Sequence, residues 1–213
     1  MSEIPITQPT LLLKIRNAED SAAWEQFVRL YTPLVFAFCK QRGLQDADAS
    51  DVAQEVMKTV AQSIERFDYN RRKGTFRGWL FTVTRNKLLK FFTKLQKQPQ
   101  GTGRTTIHTQ LEQTPDAQET EVWNLAYQKR LFQWAANEVK SEFSEKTWDA
   151  FWNTAVKNQN SQETAKALSM SLGAVYIAKS RVISRIRQQI ESISGQEDTE
   201  LWSKSGDSFT SSQ

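Results

Sequence analysis

Cysteine and histidine are almost missing from this chain: Cys39 and His108 stand alone among 213 residues. A single cysteine excludes an internal disulfide framework and a thiolate metal cluster. A single histidine leaves the helical carboxylate metal sites without their Glu-x-x-His partner, so no metal and no cofactor is expected. Glycine and proline are scarce, eight and five, and no stretch alternates valine and isoleucine as a half-buried strand does. The expected fold is therefore all-α. No charged-then-apolar leader opens the chain and no apolar run approaches the length of a membrane span, so a cytoplasmic setting is expected.

Acid is the other thing missing, and it is missing locally. From Arg71 to Leu111 there are ten Lys and Arg and no Asp or Glu. From Thr164 to Ile190 there are five basic residues (Lys166, Lys179, Arg181, Arg185, Arg187) and again no acid. Acids gather between Asp46 and Glu55 and after Glu191. The net charge is only +4, so it is the distribution that carries information. Two basic blocks separated by an acidic patch suggest two polyanion contacts and one surface for a different partner.

Hydrophobic residues make up 38% of the chain, with seven Trp and twelve Phe, which is enough for a real core. Residues 1–19 read as an N-terminal arm containing Pro5 and Pro9, in which "LLLKI" can start a short helix. The spacing of Trp24, Phe27, Leu30, Leu34 and Phe38 predicts a long helix, with Ser21 as its cap, Gly43 as its end and Pro33 as a candidate kink. A second helix is expected from about Asp48 or Ser50 through Ile64, its inner stripe built on Val52, Val56 and Val60. A third is expected from about Thr75 to Leu95, with Phe76, Leu80, Val83, Leu88, Phe91 and Leu95 inward. Residues 97–118, rich in Gln and Thr with two Pro and two Gly, bury little and read as a flexible linker. Helical spacing resumes over 122–139, and Ser144 can cap a further helix. The polar tail, 195–213, reads as disordered. The architecture expected is two small helical domains, 20–96 and 119–194, joined by that linker.

Within the second domain, "SQETAKALSMSLGAVYIAKSRVISRIRQQI" has the spacing of a helix-turn-helix. Ala165 is the small residue where helices cross, the turn falls at Ser169, and Leu172, Val175 and Val182 pack back. Ser161 and Ser171 suit the two N-caps. Ser171, Ala174, Tyr176, Ile177, Ser180, Arg181 and Arg185 are then candidates to contact duplex DNA in the major groove. An antiparallel helix pair with a solvated basic face has the same pattern.

The first basic block, "FDYNRRKGTFRGWLFTVTRNKLLKFF", interleaves cations with aromatics, a mixture that suits single-stranded nucleic acid. Trp79, Phe81 and Phe91 read as core. Arg72, Lys73 and Thr75 in the loop, with Arg85, Asn86 and Lys90 on the polar helix face, are the contact candidates.

Taken in order, these stretches resemble the bacterial sigma-70-type initiation factors of the small extracytoplasmic-function class. "ASDVAQEVMKTV" looks like the family's core-polymerase-binding helix, which implies contact through Asp51, Val52, Gln54, Glu55 and Val56. "RFDYNRRKGTFRGWLFTVTRNKL" looks like its promoter-melting loop and helix, matching at Phe67, Asp68, Gly74, Phe76, Arg77, Trp79, Leu80, Arg85 and Asn86. "MSLGAVYIAKSRVISRIR" looks like its C-terminal helix-turn-helix. The resemblance covers roughly 20–95 and 120–192. It implies that 20–96 is a region 2-like domain capturing the melted minus-ten strand, and 119–194 a region 4-like domain reading the minus-thirty-five duplex. RNA polymerase core and promoter DNA would be the partners, with an anti-sigma factor or other regulatory protein as a further one. The family often has Arg or Lys shortly after the Gly-Thr-Val that opens its recognition helix, where this chain has Tyr176, Ile177 and Ala178. Two other classes compete with this reading: a stand-alone helix-turn-helix regulator, and a helical enzyme acting on nucleic acid, for which no convergent acid–base or metal set is found.

Overall fold

The computed structural model describes residues 10–67, 75–96 and 117–194, and among them there is no strand. The parts of the expected loop, linker, arm and tail that fall elsewhere, Arg72 and Lys73 included, lie outside the described residues. The helices are α1 (Leu11–Lys14), α2 (Ser21–Gln41), α3 (Asp46–Ser63), α4 (Phe76–Gln96), α5 (Ala117–Val139), α6 (Glu145–Phe151), α7 (Ser161–Ala167) and α8 (Leu172–Ser194). Short 3₁₀ turns follow α3 and α5, and a π-helical turn, Trp152–Val156, follows α6.

Two compact units divide the chain, one from Leu11 to Arg130 and one from Leu131 on. The sequence reading begins the second domain at 119. The residues of α5 up to Arg130 belong instead to the first unit.

In the first unit α2 packs on α3, and α3 on α4. Asp20, rather than Ser21, caps α2: its Oδ1 accepts from Ala23 N at 3.0 Å. A carboxylate there also meets the positive end of the helix dipole. The far end of α2 closes with Gly43 N donating to Lys40 O and Leu44 N to Cys39 O. That paired closure needs a left-handed residue, and Gly43 supplies it at φ 83°. On α4 the buried residues are Phe76, Leu80, Phe81, Thr84, Arg85, Leu88 and Phe92. The inward face is therefore turned by about one residue from the expected stripe in places, leaving Val83, Phe91 and Leu95 half-buried. The front of α5 completes this core. Trp123 is fully buried against Phe38 and Phe81, with ring centroids 5.1 and 5.4 Å away. Tyr127 sits beside Tyr31, their hydroxyls 3.2 Å apart. Burying an aromatic ring of this kind is worth roughly 2–3 kcal/mol.

In the second unit α6 and α7 both pack on α8. Ser144 caps α6 as expected. Asn160, rather than Ser161, caps α7, its Oδ1 accepting from Gln162 N and Glu163 N. Along α8 the residues Val175, Ala178, Val182, Ile186, Ile190 and Ile193 are buried, at the three-and-four spacing that makes one helix face.

Candidate nucleic-acid and partner interfaces

The first unit gathers aromatics at the start of α4. Phe67, Phe76 and Trp79 form a cluster with centroids 5.0 to 5.8 Å apart. Phe76 is buried, whereas Phe67 and Trp79 are half-buried. Arg16 fixes one side of this cluster, donating from one guanidinium nitrogen to Phe67 O at 2.8 Å and Glu65 O at 3.2 Å. Nothing in the sequence spacing singled out Arg16. Thr75 fixes the other side: its Oγ1 accepts from Gly78 N at 3.1 Å and caps α4. The expected strand contact thus has a structural task of its own.

Asn86 and Lys90 are exposed on α4, one turn apart. Arg85, expected with them on the polar face, is buried instead. Its Nε lies 3.3 Å from Glu119 Oε2, and both side chains are only 9% exposed. Arg42 donates to the other oxygen of Glu119 at 2.7 Å. The reason is register: Arg85 lies one turn beyond Phe81 and just before Leu88, on the side that α5 covers. A buried cation persists there only because a carboxylate meets it. Glu119, at the edge of the Gln/Thr-rich stretch, was not a candidate by sequence, because nothing local marks its partner.

On α3 the five partner-contact candidates divide. Asp51, Gln54 and Glu55 are exposed. Val52 and Val56 are 4% and 0% exposed, inside the unit's own core, so they cannot form a contact surface. Their spacing of four is that of the core stripe as well as of the motif. Glu55 accepts from Lys58 Nζ at 2.8 Å and, more weakly, from Lys87 at 3.5 Å. The Lys58 hydrogen bond and charge hold the Glu55 carboxyl below its usual range, so that face carries fixed negative charge at neutral pH.

In the second unit a tight turn joins α7 to α8, the stretch that the sequence reading expects to be a helix-turn-helix. Ala150, Ala165, Val175 and Ala178 share one small core, with Leu168 and Met170 packed against it. Ser169 takes the left-handed turn position at φ 51°, while Ser169 N donates to Lys166 O and Met170 N to Ala165 O. Ser171 caps α8, its Oγ accepting from Ala174 N at 3.1 Å. Of the duplex candidates, Tyr176, Ile177, Ser180 and Arg181 are exposed, and Ala174 is half-buried. Arg185 is half-buried and held by both oxygens of Glu142 at 2.7 Å, with Gln189 Oε1 at 3.1 Å. It therefore does not stand free on that face.

Among the described residues the chain is all-helical, with a half-buried aromatic cluster beside exposed polar groups in the first unit and a tightly turned helix pair in the second. Residues 27–98 match the family described as Sigma-70 region 2. The chain is 32% identical over 90 residues to the ECF RNA polymerase sigma factor RpoE of Cereibacter sphaeroides, covering 42% of this chain and 48% of that protein. It is 31% identical over 88 residues to the ECF RNA polymerase sigma factor SigE of Mycolicibacterium smegmatis, covering 40% and 33%. The matches span about half of the first relative and a third of the second. Over residues 27–98 the chain is thus similar to sigma-70 region 2, and over about 90 residues it is similar to two sigma factors of the extracytoplasmic-function class. Among the described residues no helix is long and apolar enough to cross a membrane, and no group of His, Cys, Asp and Glu could hold a metal ion.

Proposed function

We propose that this protein is a dissociable promoter-specificity factor of bacterial RNA polymerase, working in the cytoplasm. The observation that carries this reading is the region 2 match over 27–98, laid across α2, α3 and α4. The exposed acidic face of α3, Asp51, Gln54 and Glu55, is suited to a basic surface on the polymerase core. Phe67 and Trp79, with Asn86 and Lys90, offer ring faces, a bidentate amide and a cation to unpaired bases. The helix-turn-helix of the second unit supplies the grip on closed duplex. An anti-sigma factor or other regulatory protein competing for the same faces fits this reading.

Strand opening in this scheme needs no catalytic group. It draws on binding energy that only the unpaired state receives. Stacking one base on an aromatic ring contributes roughly 1–3 kcal/mol, and unstacking one duplex step costs about 1.4 kcal/mol. A pocket for one or two bases therefore offsets only a step or two. Opening a full bubble requires the remaining contacts of a polymerase, which is why the chain acts as a subunit.

Run-off transcription on a genomic fragment library, with core polymerase and with or without this chain, tests the reading. Discrete new start sites that depend on the chain are expected. A chain that neither binds core nor redirects it, yet binds tight operator sites by itself, is a stand-alone regulator instead.

A further inference from the structure

The helix-turn-helix carries an apolar pair where a reader of duplex DNA most often carries charge. Tyr176 is 55% and Ile177 61% exposed, on the first turns of α8, opposite the buried face made by Val175, Ala178 and Val182. Gly173, one turn earlier on the same side, is exposed, and a Cβ built there would meet nothing within 4 Å. This side of the helix is bare and open to close approach. Ser180 and Arg181 continue it by one more turn.

The surroundings say what covers it. Arg181 is exposed one turn beyond Ile177, Lys166 and Arg187 are exposed elsewhere on the same helix pair, Lys179 is half-buried, and no acid occurs between Thr164 and Ile190. That acid-free basic surface suits a polyanion rather than another protein's apolar core. An isoleucine side chain cannot hydrogen-bond, so it gains affinity only from an apolar partner. In the major groove the apolar group on offer is the C5-methyl of thymine. We propose that Ile177, flanked by the Tyr176 ring, reads thymine methyls, and that the recognition helix of this chain selects thymine in the bases facing that pair. The proposal rests on the second unit being the duplex reader.

The test uses the full-length chain assembled on core polymerase and a pool of random duplexes long enough for a promoter, at low temperature, where strands stay paired. Sequences enriched by the chain are resynthesised with deoxyuridine in place of thymidine, which removes the methyl and nothing else. We expect a thymine-bearing motif whose affinity falls about three- to fivefold for each contacted methyl, the value of one buried methyl group. Ile177→Ala should bind thymine and uracil duplexes equally, and Ile177→Val should keep most of the difference. Ile177 is exposed, so an unchanged Tm is the expected control. Selective binding that is indifferent to uracil overturns the thymine proposal and leaves the duplex reader standing. No selective enrichment at all overturns both. A concentration-dependent dimer that Ile177→Ala abolishes, without any thymine–uracil difference, assigns the pair to a second copy of the chain and overturns the proposal too.

Discussion

Proline inside a helix removes one backbone donor, and Pro33 lies within α2. The carbonyl four residues earlier is that of Arg29, which Pro33 leaves without its helical partner. Arg130 fills the gap: its guanidinium donates to Arg29 O at 2.8 Å and to Leu30 O at 3.0 Å. Burial lowers the pKa of Arg130, and two carbonyl partners make that burial tolerable. Arg130→Met, which keeps the bulk and loses the donors, is expected to destabilise the fold by about 0.5–1.5 kcal/mol, the net range for a hydrogen bond whose carbonyl can turn to water. Chemical denaturation of the two proteins checks this. Arg130→Met paired with Pro33→Ala should recover much of the loss, since alanine restores the helical donor.

Cys39 gives a second prediction at this scale. It is fully buried, and burial pushes its thiol from 9.0 up to about 12. A thiol with that pKa is protonated and unreactive at neutral pH, so a thiol reagent should label the native chain only as fast as it unfolds. The pKa is raised in the folded state, so the folded chain holds its proton longer than the unfolded one. The stabilisation is complete below about pH 9 and is lost as pH rises from about 9 towards 12. Wild type should lose about 1.4 kcal/mol more than Cys39→Ala between pH 8 and pH 10, as read from denaturation midpoints at the two values.

At the scale of elements, the α7–α8 helix pair shows what sequence patterning can and cannot deliver. Ala165 at the crossing, the turn at Ser169, the cap at Ser171 and the inward Val175 and Val182 are local properties, and spacing alone was enough to find them. The left-handed backbone of Ser169 is less favourable for serine than for glycine by about 1 kcal/mol. Ser169→Gly should therefore raise stability by about 0.5–1 kcal/mol without changing DNA affinity. A drop in Tm would mean that the serine makes a compensating contact. Partners distant in sequence were not legible. Helical spacing over 122–139 predicted a helix there, but not that its Trp123 and Tyr127 enter the core of the first unit, because a period fixes a face and never its neighbour. The same limit hid the pairing of Glu119 with Arg85 and of Glu142 with Arg185. On α3 the motif and the core stripe use the same valines, so only burial could separate Val52 and Val56 from Asp51, Gln54 and Glu55. The π-helical turn at Trp152–Val156 left no mark in the spacing.

At the scale of the whole molecule, the two acid-free blocks were legible from charge alone, and the structure divides them between two units. That division predicts separable defects. Asn86 is exposed on α4 and suited to an unpaired base, while the duplex candidates stand on α8. Replacing Asn86 by Ala removes hydrogen bonds available only once a base has left the stack. With the chain assembled on core polymerase, we expect Asn86→Ala to reduce promoter opening by about 5- to 20-fold, equivalent to roughly 1–2 kcal/mol of lost contact. Closed-complex affinity should change less than twofold. Permanganate reactivity of unpaired thymines reads the first quantity, and filter binding at low temperature, where strands stay paired, reads the second. Arg181→Ala should do the reverse, weakening closed binding and its salt dependence while leaving the opened fraction of bound promoter unchanged. If both substitutions lowered both quantities equally, the units would not divide the work, and the assignment of melted strand to the first and duplex to the second would have to be given up.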